Sequence, residues 1–392
     1  MPQELDGILN LPGYEVLKIE GSNPVVLSVR YTGGVRCPAC ESSNLRRKDR
    51  FLRRLHHESL GMRKCYLLLE ARKFQCLDCG RYFHQRFPGI LPYRRTTEGY
   101  RREVFELHRD GICQTRLAER GRIGTATVER WFHDYLERKV AELASAECPR
   151  ILGIDEHFFS RKDGYATTFC DLGNHRVYDV VLGRSEAALG VYFKRLKNPQ
   201  RVKVVCMDLA SSYRSLVRRY LPQARIVADR FHVIRLINQH FLSAWKLVDP
   251  IGGKNRGLLS LMRRHAWNLS PVQQLRLNDY LARQPALAVI YEFKQRLVRL
   301  MLIRHQTQRA CRRWVRVLLH YIDQLRSSGF DVLRTLGQTL WTWREEIACM
   351  WRFTKNNGIT EGFHTKMEMI SRRAYGFKNF ENYRLRVKAL CA

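Results

Sequence analysis

The sequence predicts an α/β protein: a small β-rich metal module, then three helices, then a domain of strands and helices with a long helical insertion. Three observations predict it. Two CxxC pairs punctuate short β-like runs in residues 1–90. Between residues 149 and 246 the apolar pattern alternates in the order β-β-β-α-β-α-β-α. Residues 247–350 then read as helix, ahead of a basic C-terminal segment, 351–392. At 392 residues the chain is too long for one ordinary domain.

Composition narrows the function. Hydrophobic residues make up 45% and aromatics 11%, enough for sizeable cores. Lysine and arginine total 69 against 37 acids, a net charge of +32 spread along the whole length. A folded chain that is basic throughout points to a polyanion, and nucleic acid is the commonest one. The N-terminus, "MPQELDG", is acidic and polar, and no apolar run has transmembrane length, so no membrane role is expected. Twelve cysteines in such a cytosolic chain argue for metal ligands and buried thiols rather than disulfides.

The first module carries "YEVLKIE", "VVLSVRY" and "CYLLLEARKFQC" as strands. Cys37-Pro-Ala-Cys40 and Cys76-Leu-Asp-Cys79-Gly80 can each present two thiolates from one tight turn, and four thiolates complete a tetrahedral Zn²⁺ site. A β-hairpin can fill the long gap between the pairs. Two such pairs in one basic module favour metal over a redox dithiol, and four protein ligands leave no open position, so the zinc is structural. Cys65 reads as a core thiol. His56, His57 and His84 are the less favoured substitutes for a thiolate.

Residues 94–140 read as helix, short helix, glycine turn and longer helix, the order of a helix-turn-helix. Leu117, Ala118, Val128 and Trp131 can pack inward. Thr125, Thr127 and Arg130 then face outward, toward the major groove of double-stranded DNA, and Thr125 or Thr127 can cap the last helix.

In residues 149–246, "RILGIDE", "YATTFCDLG", "HRVYDVVLG", "RVKVVCMDLA" and "ARIVAD" are the strands, and Ser185 caps the first helix. Asp155, Asp208 and Asp229 each stand where an apolar strand runs into charge. One such carboxylate is usually a cap or a salt-bridge partner. Three on one sheet suit a shared metal site at the strand ends, where α/β sheets place their crevices. The tryptophans of 247–350 (Trp267, Trp314, Trp341, Trp343) are core residues by default, with stacking on an unpaired base as the alternative.

From Asn356 the chain reads as a turn and then a helix. At roughly 100° per residue, Phe363, Met367 and Ile370 share one face, while Glu361 in the first turn points away from it. A helix cap alone accounts for a carboxylate there. With the upstream aspartates it can instead complete a cage for Mg²⁺ or Mn²⁺, cations that take oxygen ligands and activate phosphodiester displacement.

The segments "ILGIDEHFF", "VVCMDLASSYRSLVRRYLPQARIVADRFHVIR" and "NNGITEGFHTKMEMISRRAYGFKNFENYRLRV", in this order behind a four-cysteine module, resemble the ISL3 family of bacterial insertion-sequence transposases over essentially the whole chain. The resemblance implies a ribonuclease-H-like catalytic domain of the DDE type, with Asp155, Asp208 and Glu361 as the metal-binding catalytic acids. In "VADRFHV" it makes Asp229 and His232 supporting or DNA-contacting residues. It implies that the protein binds the terminal inverted repeats of its own element, cuts the ends by hydrolysis and transfers the 3′-OH ends to target DNA. Joining two ends calls for a dimer or larger assembly, working on the nucleoid in a bacterial cytoplasm. Two other readings are a transposase-derived zinc-containing regulator and a ribonuclease-H-type nuclease. The intact acids weigh against the first, and the insertion and end-binding modules against the second.

Overall fold

Alternating apolar residues set the first sheet. In the computed structural model, which describes residues 9–143, 147–353 and 358–392, the chain forms two compact units, Met1–Lys139 and Val140–Ala392. The acidic N-terminal stretch and the turn expected at Asn356 lie outside the described residues. Strands β1 (Tyr14–Glu20), β2 (Val25–Tyr31), β3 (Leu45–Leu60), β4 (Arg63–Cys76) and β5 (Tyr82–His84) form a sheet in the order β1-β2-β4-β3, with β5 also on β4. Along β4 every second residue, Cys65, Leu67, Leu69 and Ala71, is buried, as one-sided packing of a strand requires. The long β3–β4 hairpin fills the gap between the cysteine pairs.

Helices α1 (Glu98–Arg109), α2 (Gln114–Gly121) and α3 (Thr125–Leu143) follow. Thr97 caps α1 by accepting from the Tyr100 N–H. Leu117, Ala118, Val128 and Trp131 pack inward with Tyr100 and Val104, as their spacing requires. Gly121 allows α2 to approach α1 closely, because a Cβ there would collide with the Tyr100 hydroxyl. Helix α3 begins at Thr125 itself, so Thr127 lies within its first turn rather than capping it.

The second unit is built on strands β6 (Ile151–Ser160), β7 (Gly164–Asp171), β8 (Arg176–Leu182), β9 (Val204–Met207) and β10 (Arg225–Ala228), in the order β10-β9-β6-β7-β8. β6, β9 and β10 run parallel, and β6, β7 and β8 antiparallel. Strand alternation sends Ile154, Phe169 and Met207 to one face. That face packs on helices α4 (Glu186–Lys194), α5 (Ser211–Tyr220) and α6 (Arg230–Val248). Ala166, Cys170 and Cys206 go to the opposite face.

Helices α7 (Arg256–Arg263), α8 (Pro271–Ala282), α9 (Pro285–Leu302), α10 (Gln308–Arg326), α11 (Asp331–Thr342) and α12 (Arg344–Arg352) form the insertion and extend the first core. Arg230, 4% exposed, ties it to the sheet. Its guanidinium donates to the carbonyls of Met301, Ile303 and Met350 at 2.9, 3.2 and 3.0 Å, where α9 and α12 end. A cation suits helix C-termini, whose last carbonyls lack partners. Trp343 is buried, but Trp267 is 44% exposed and stacks on His265.

The opposite face of the sheet is covered by α13 (Gly358–Arg373) and α14 (Phe380–Leu390). Met367 and Ile370 are buried there and Phe363 packs beside them, the face expected from the sequence. Asp179 on β8 fixes α14 by accepting two 2.8 Å hydrogen bonds from Arg384. Among the described residues no helix is long and apolar enough to cross a membrane.

Candidate active site and zinc centre

Strand register assembles the acids. The parallel ladder pairs Ile154 with Met207 and Met207 with Ala228. The next residue on each of these adjacent strands is Asp155, Asp208 and Asp229, so three carboxylates stand in a row at one edge. Neighbouring strands lie about 4.8 Å apart. Alternation turns Asp155 and Asp208 to the face covered by α13 and α14, because Ile154 and Met207 occupy the other. β6 carries Asp155 within the strand and continues beyond "RILGIDE" to Ser160, because its antiparallel partner β7 pairs on after β9 has ended.

Asp155, Asp208 and His232 bring one potential ligand atom each within 4.8 Å of one another. His232, in the first turn of α6, places Nδ1 2.7 Å from both Asp208 Oδ1 and Asp229 Oδ2. A single N–H cannot serve both. It donates to Asp229, leaving Asp208 Oδ1 buried without a hydrogen-bond donor. Burial disfavours a charged imidazole, but Asp208 and Asp229 outweigh it and raise His232 to about 10. Burial and then the neighbouring Asp208 push the Asp155 carboxyl up to about 7. Asp208 is likewise raised by burial, against the pull of His232. Crowded acids and a stranded carboxylate oxygen are what a hard divalent cation relieves, so the donor set fits such an ion.

Two histidines missed in the sequence reading stand beside this group. His364 on α13 places Nδ1 3.9 Å from Asp155 Oδ2. Its Nε2 lies 3.1 Å from Thr168 Oγ1, which lies 2.9 Å from His157 Nδ1. His157 Nε2 in turn meets the Tyr383 hydroxyl at 2.8 Å. Burial lowers His157 to about 3, and burial with His232 lowers His364 to about 4, so both rings are neutral at pH 7. The signal was present: His157 is two residues beyond Asp155 on a strand, hence on the same face. Glu361 sits one helical turn before His364, exposed in the first turn of α13. Its carboxylate is outside the Asp155–Asp208–His232 group.

In the first unit the Sγ atoms of Cys37, Cys40, Cys76 and Cys79 also lie within 4.8 Å of one another. Cys37–Cys79 and Cys40–Cys76 approach to 3.6 and 3.5 Å. These are far beyond a disulfide bond and near the sulfur spacing of about 3.8 Å that tetrahedral Zn–S bonds impose. The two turns are built alike. Glu41 and Gly80, each following the second cysteine of its pair, both have positive φ, at 57° and 72°. Asp78 bridges them by accepting from Ser42 and Asn44. The N–H of Ala39 foremost pulls the Cys37 thiol down to about 6, whereas Cys40 and Cys79, despite the N–H groups of Ser42 and Arg81, are held above the ordinary thiol range by their sulfur neighbours. His57 is instead buried between Leu9 and Thr97. Thr125 and Arg130 are exposed on α3, and Thr127 is half-buried.

Comparison with known proteins covers both units of the chain. Residues 34–79 match a family model described as the zinc-finger of transposase IS204/IS1001/IS1096/IS1165. Over its length the chain is 25% identical to the transposase for insertion sequence element IS1001 of Bordetella parapertussis, covering 96% of this chain and 95% of that one. Residues 152–387, well over half of the chain, match the ISL3-type DDE family model described as transposase. The zinc ribbon and the α/β unit carrying the aligned aspartates are thus parts of one design, and the chain belongs to the ISL3 family of transposases.

Proposed function

We propose that the protein binds the inverted-repeat ends of its own insertion sequence, cleaves them by hydrolysis and transfers the 3′-OH ends to target DNA. The observation that carries this reading is the register that aligns Asp155, Asp208 and Asp229 across three parallel strands. The order β10-β9-β6-β7-β8 supports a ribonuclease-H-like sheet interrupted by the helices of residues 247–350. Asp155 and Asp208 would hold Mg²⁺ or Mn²⁺, and Glu361 would complete the set. Bound there, the cations activate the attacking oxygen and stabilise charge on the leaving one.

What supports Glu361 is His364, three residues on, which faces Asp155 from the same helix. Asp229 holds the His232 ring, and that imidazolium offsets the clustered acids. Residues 1–90 and 94–140 would recognise the ends: the zinc ribbon as scaffold, and α1–α3 as a helix-turn-helix offering Thr125, Thr127 and Arg130 to a major groove. The excess of lysine and arginine would bind DNA backbone with strong salt dependence. Two ends must meet, so a dimer or larger assembly acts, in the cytoplasm at the nucleoid.

Glu361→Gln and Glu361→Asp test the set. If Glu361 binds metal, both variants keep end binding but lose strand transfer by orders of magnitude, because displacement is sensitive to shifts of about 1 Å. If it only caps α13, Gln costs about 0.3–1 kcal/mol of stability and Asp restores full activity. Strand-transfer assays beside melting curves separate the two.

A further inference from the structure

Beside the zinc ribbon lies a cleft of about 1010 Å³ that the proposed chemistry does not use. One wall is β5, whose alternation turns Tyr82 and His84 outward together. The other is the segment after it, pinned to the core by buried Phe87 and Ile90 and by the Tyr14 hydroxyl, which donates to the Pro88 carbonyl at 2.7 Å.

Beyond these pins the chain spends an unfavourable conformation on exposing a ring. Tyr93 has φ at 59°, uncommon for a large residue, and its side chain is 89% exposed. Its only ring neighbour among the described residues is His84, at 6.5 Å and nearly perpendicular; His84 in turn meets Phe51 edge-on at 5.7 Å. Tyr82 is 53% exposed, with the ammonium groups of Lys48 and Lys73 each 5.7 Å from its ring. Exposed Arg81 and Arg86 line the same cleft. Its one carboxylate among the described lining residues, Glu98, is held by Arg101 at 2.7 Å.

An exposed ring beside a second ring flanked by lysines, both set among arginines, matches one ligand chemistry. Cations follow a phosphate backbone, and a flat ring stacks on a base whose faces are free. Inside a duplex those faces are covered by neighbouring base pairs. We propose that this cleft takes unpaired nucleotides of DNA, with Tyr93 and Tyr82 as stacking platforms and Arg81, Arg86, Lys48 and Lys73 on the phosphates. The inference rests on the reading that the protein acts on DNA ends, and it adds a single-strand site to duplex recognition. Unpaired nucleotides arise wherever a cut end frays.

The test uses the full chain, a short oligothymidylate and a blunt duplex carrying the inverted repeat. Stacking is worth about 1–3 kcal/mol per base, roughly 5- to 150-fold in affinity. Tyr93→Ala with Tyr82→Ala should weaken oligothymidylate binding by at least that lower factor and leave duplex binding within about twofold. Tyr93→Phe with Tyr82→Phe, which keeps the rings, should restore it. Unchanged oligothymidylate binding in the alanine variant overturns the site. Equal weakening of both DNA forms also overturns it, since the cleft would then contact backbone only. A wild-type chain that binds oligothymidylate but not the repeat duplex would instead refute end recognition while sparing the cleft.

Discussion

Asp155→Ala and Asp208→Ala should each abolish end cleavage and strand transfer while leaving binding of the element ends within about twofold. The two residues share one register position on adjacent strands, and Asp208 carries a buried oxygen without a hydrogen-bond donor. Removing either takes away half of a shared cation site. The losses should not add: where residues act as a unit, a double variant is little worse than either single one. Asp229→Asn should be milder, because Asp229 holds His232 rather than the cation.

Stability gives a second readout. Asp155 titrates near 7 in the folded chain, above its ordinary value of 3.8, because burial and Asp208 penalise its charge. Such a group binds its proton more tightly folded than unfolded. In the absence of divalent cations it therefore costs stability as pH rises through that window. Asp155→Asn should then melt higher than wild type in zinc-loaded protein without added Mg²⁺ or Mn²⁺ at pH 8, and the gap should close toward pH 4. A variant that is inactive because it is misfolded would melt lower at both.

Removing the zinc should have the second large effect. Structural zinc in small modules contributes on the order of 10–16 kcal/mol of folding free energy. Here the four thiols stand at the open end of the long hairpin, where Cys76 closes β4 opposite Leu45. The rest of the sheet packs on a modest core of its own. Cys76→Ser, or exhaustive chelation, should open the two turns and release residues 34–80 to proteolysis. Specific end binding should go with them. Metal analysis of the intact chain should find about one zinc per chain. Intact, zinc-free protein with full end binding would show that the cysteines serve another purpose.

Much of this was legible because local pattern and tertiary packing agree. The apolar runs that end in an acid in "VVCMD" and "IVAD", the Ser185 cap and the inward set Leu117, Ala118, Val128 and Trp131 all follow from side-chain pattern and turn chemistry, and the structure realises them. What the sequence could not reveal depends on pairing between distant segments. That Asp155, Asp208 and Asp229 fall in one row is a fact of strand register, which no single strand encodes. β6 runs past its acid because β7 is its neighbour. His364 and His157 meet across 207 positions of sequence through Thr168, and only the docking of α13 on β6 joins them. Arg230 reads as one more basic residue until two helix ends are found facing it. Trp267, a core residue by default, lies on the surface because the short turn carrying it stacks on His265 rather than entering the insertion core.

The central claim is that the aligned carboxylates perform metal-dependent DNA strand transfer. The most direct measurement incubates the full, zinc-loaded chain with a 3′-OH-ended inverted-repeat duplex and a plasmid target, with or without added Mg²⁺, and resolves the products on denaturing gels. The account predicts duplex ends joined to plasmid strands only when Mg²⁺ is present, with no protein attached to the DNA. Joined products formed equally without Mg²⁺, or DNA trapped covalently on the protein, would contradict it.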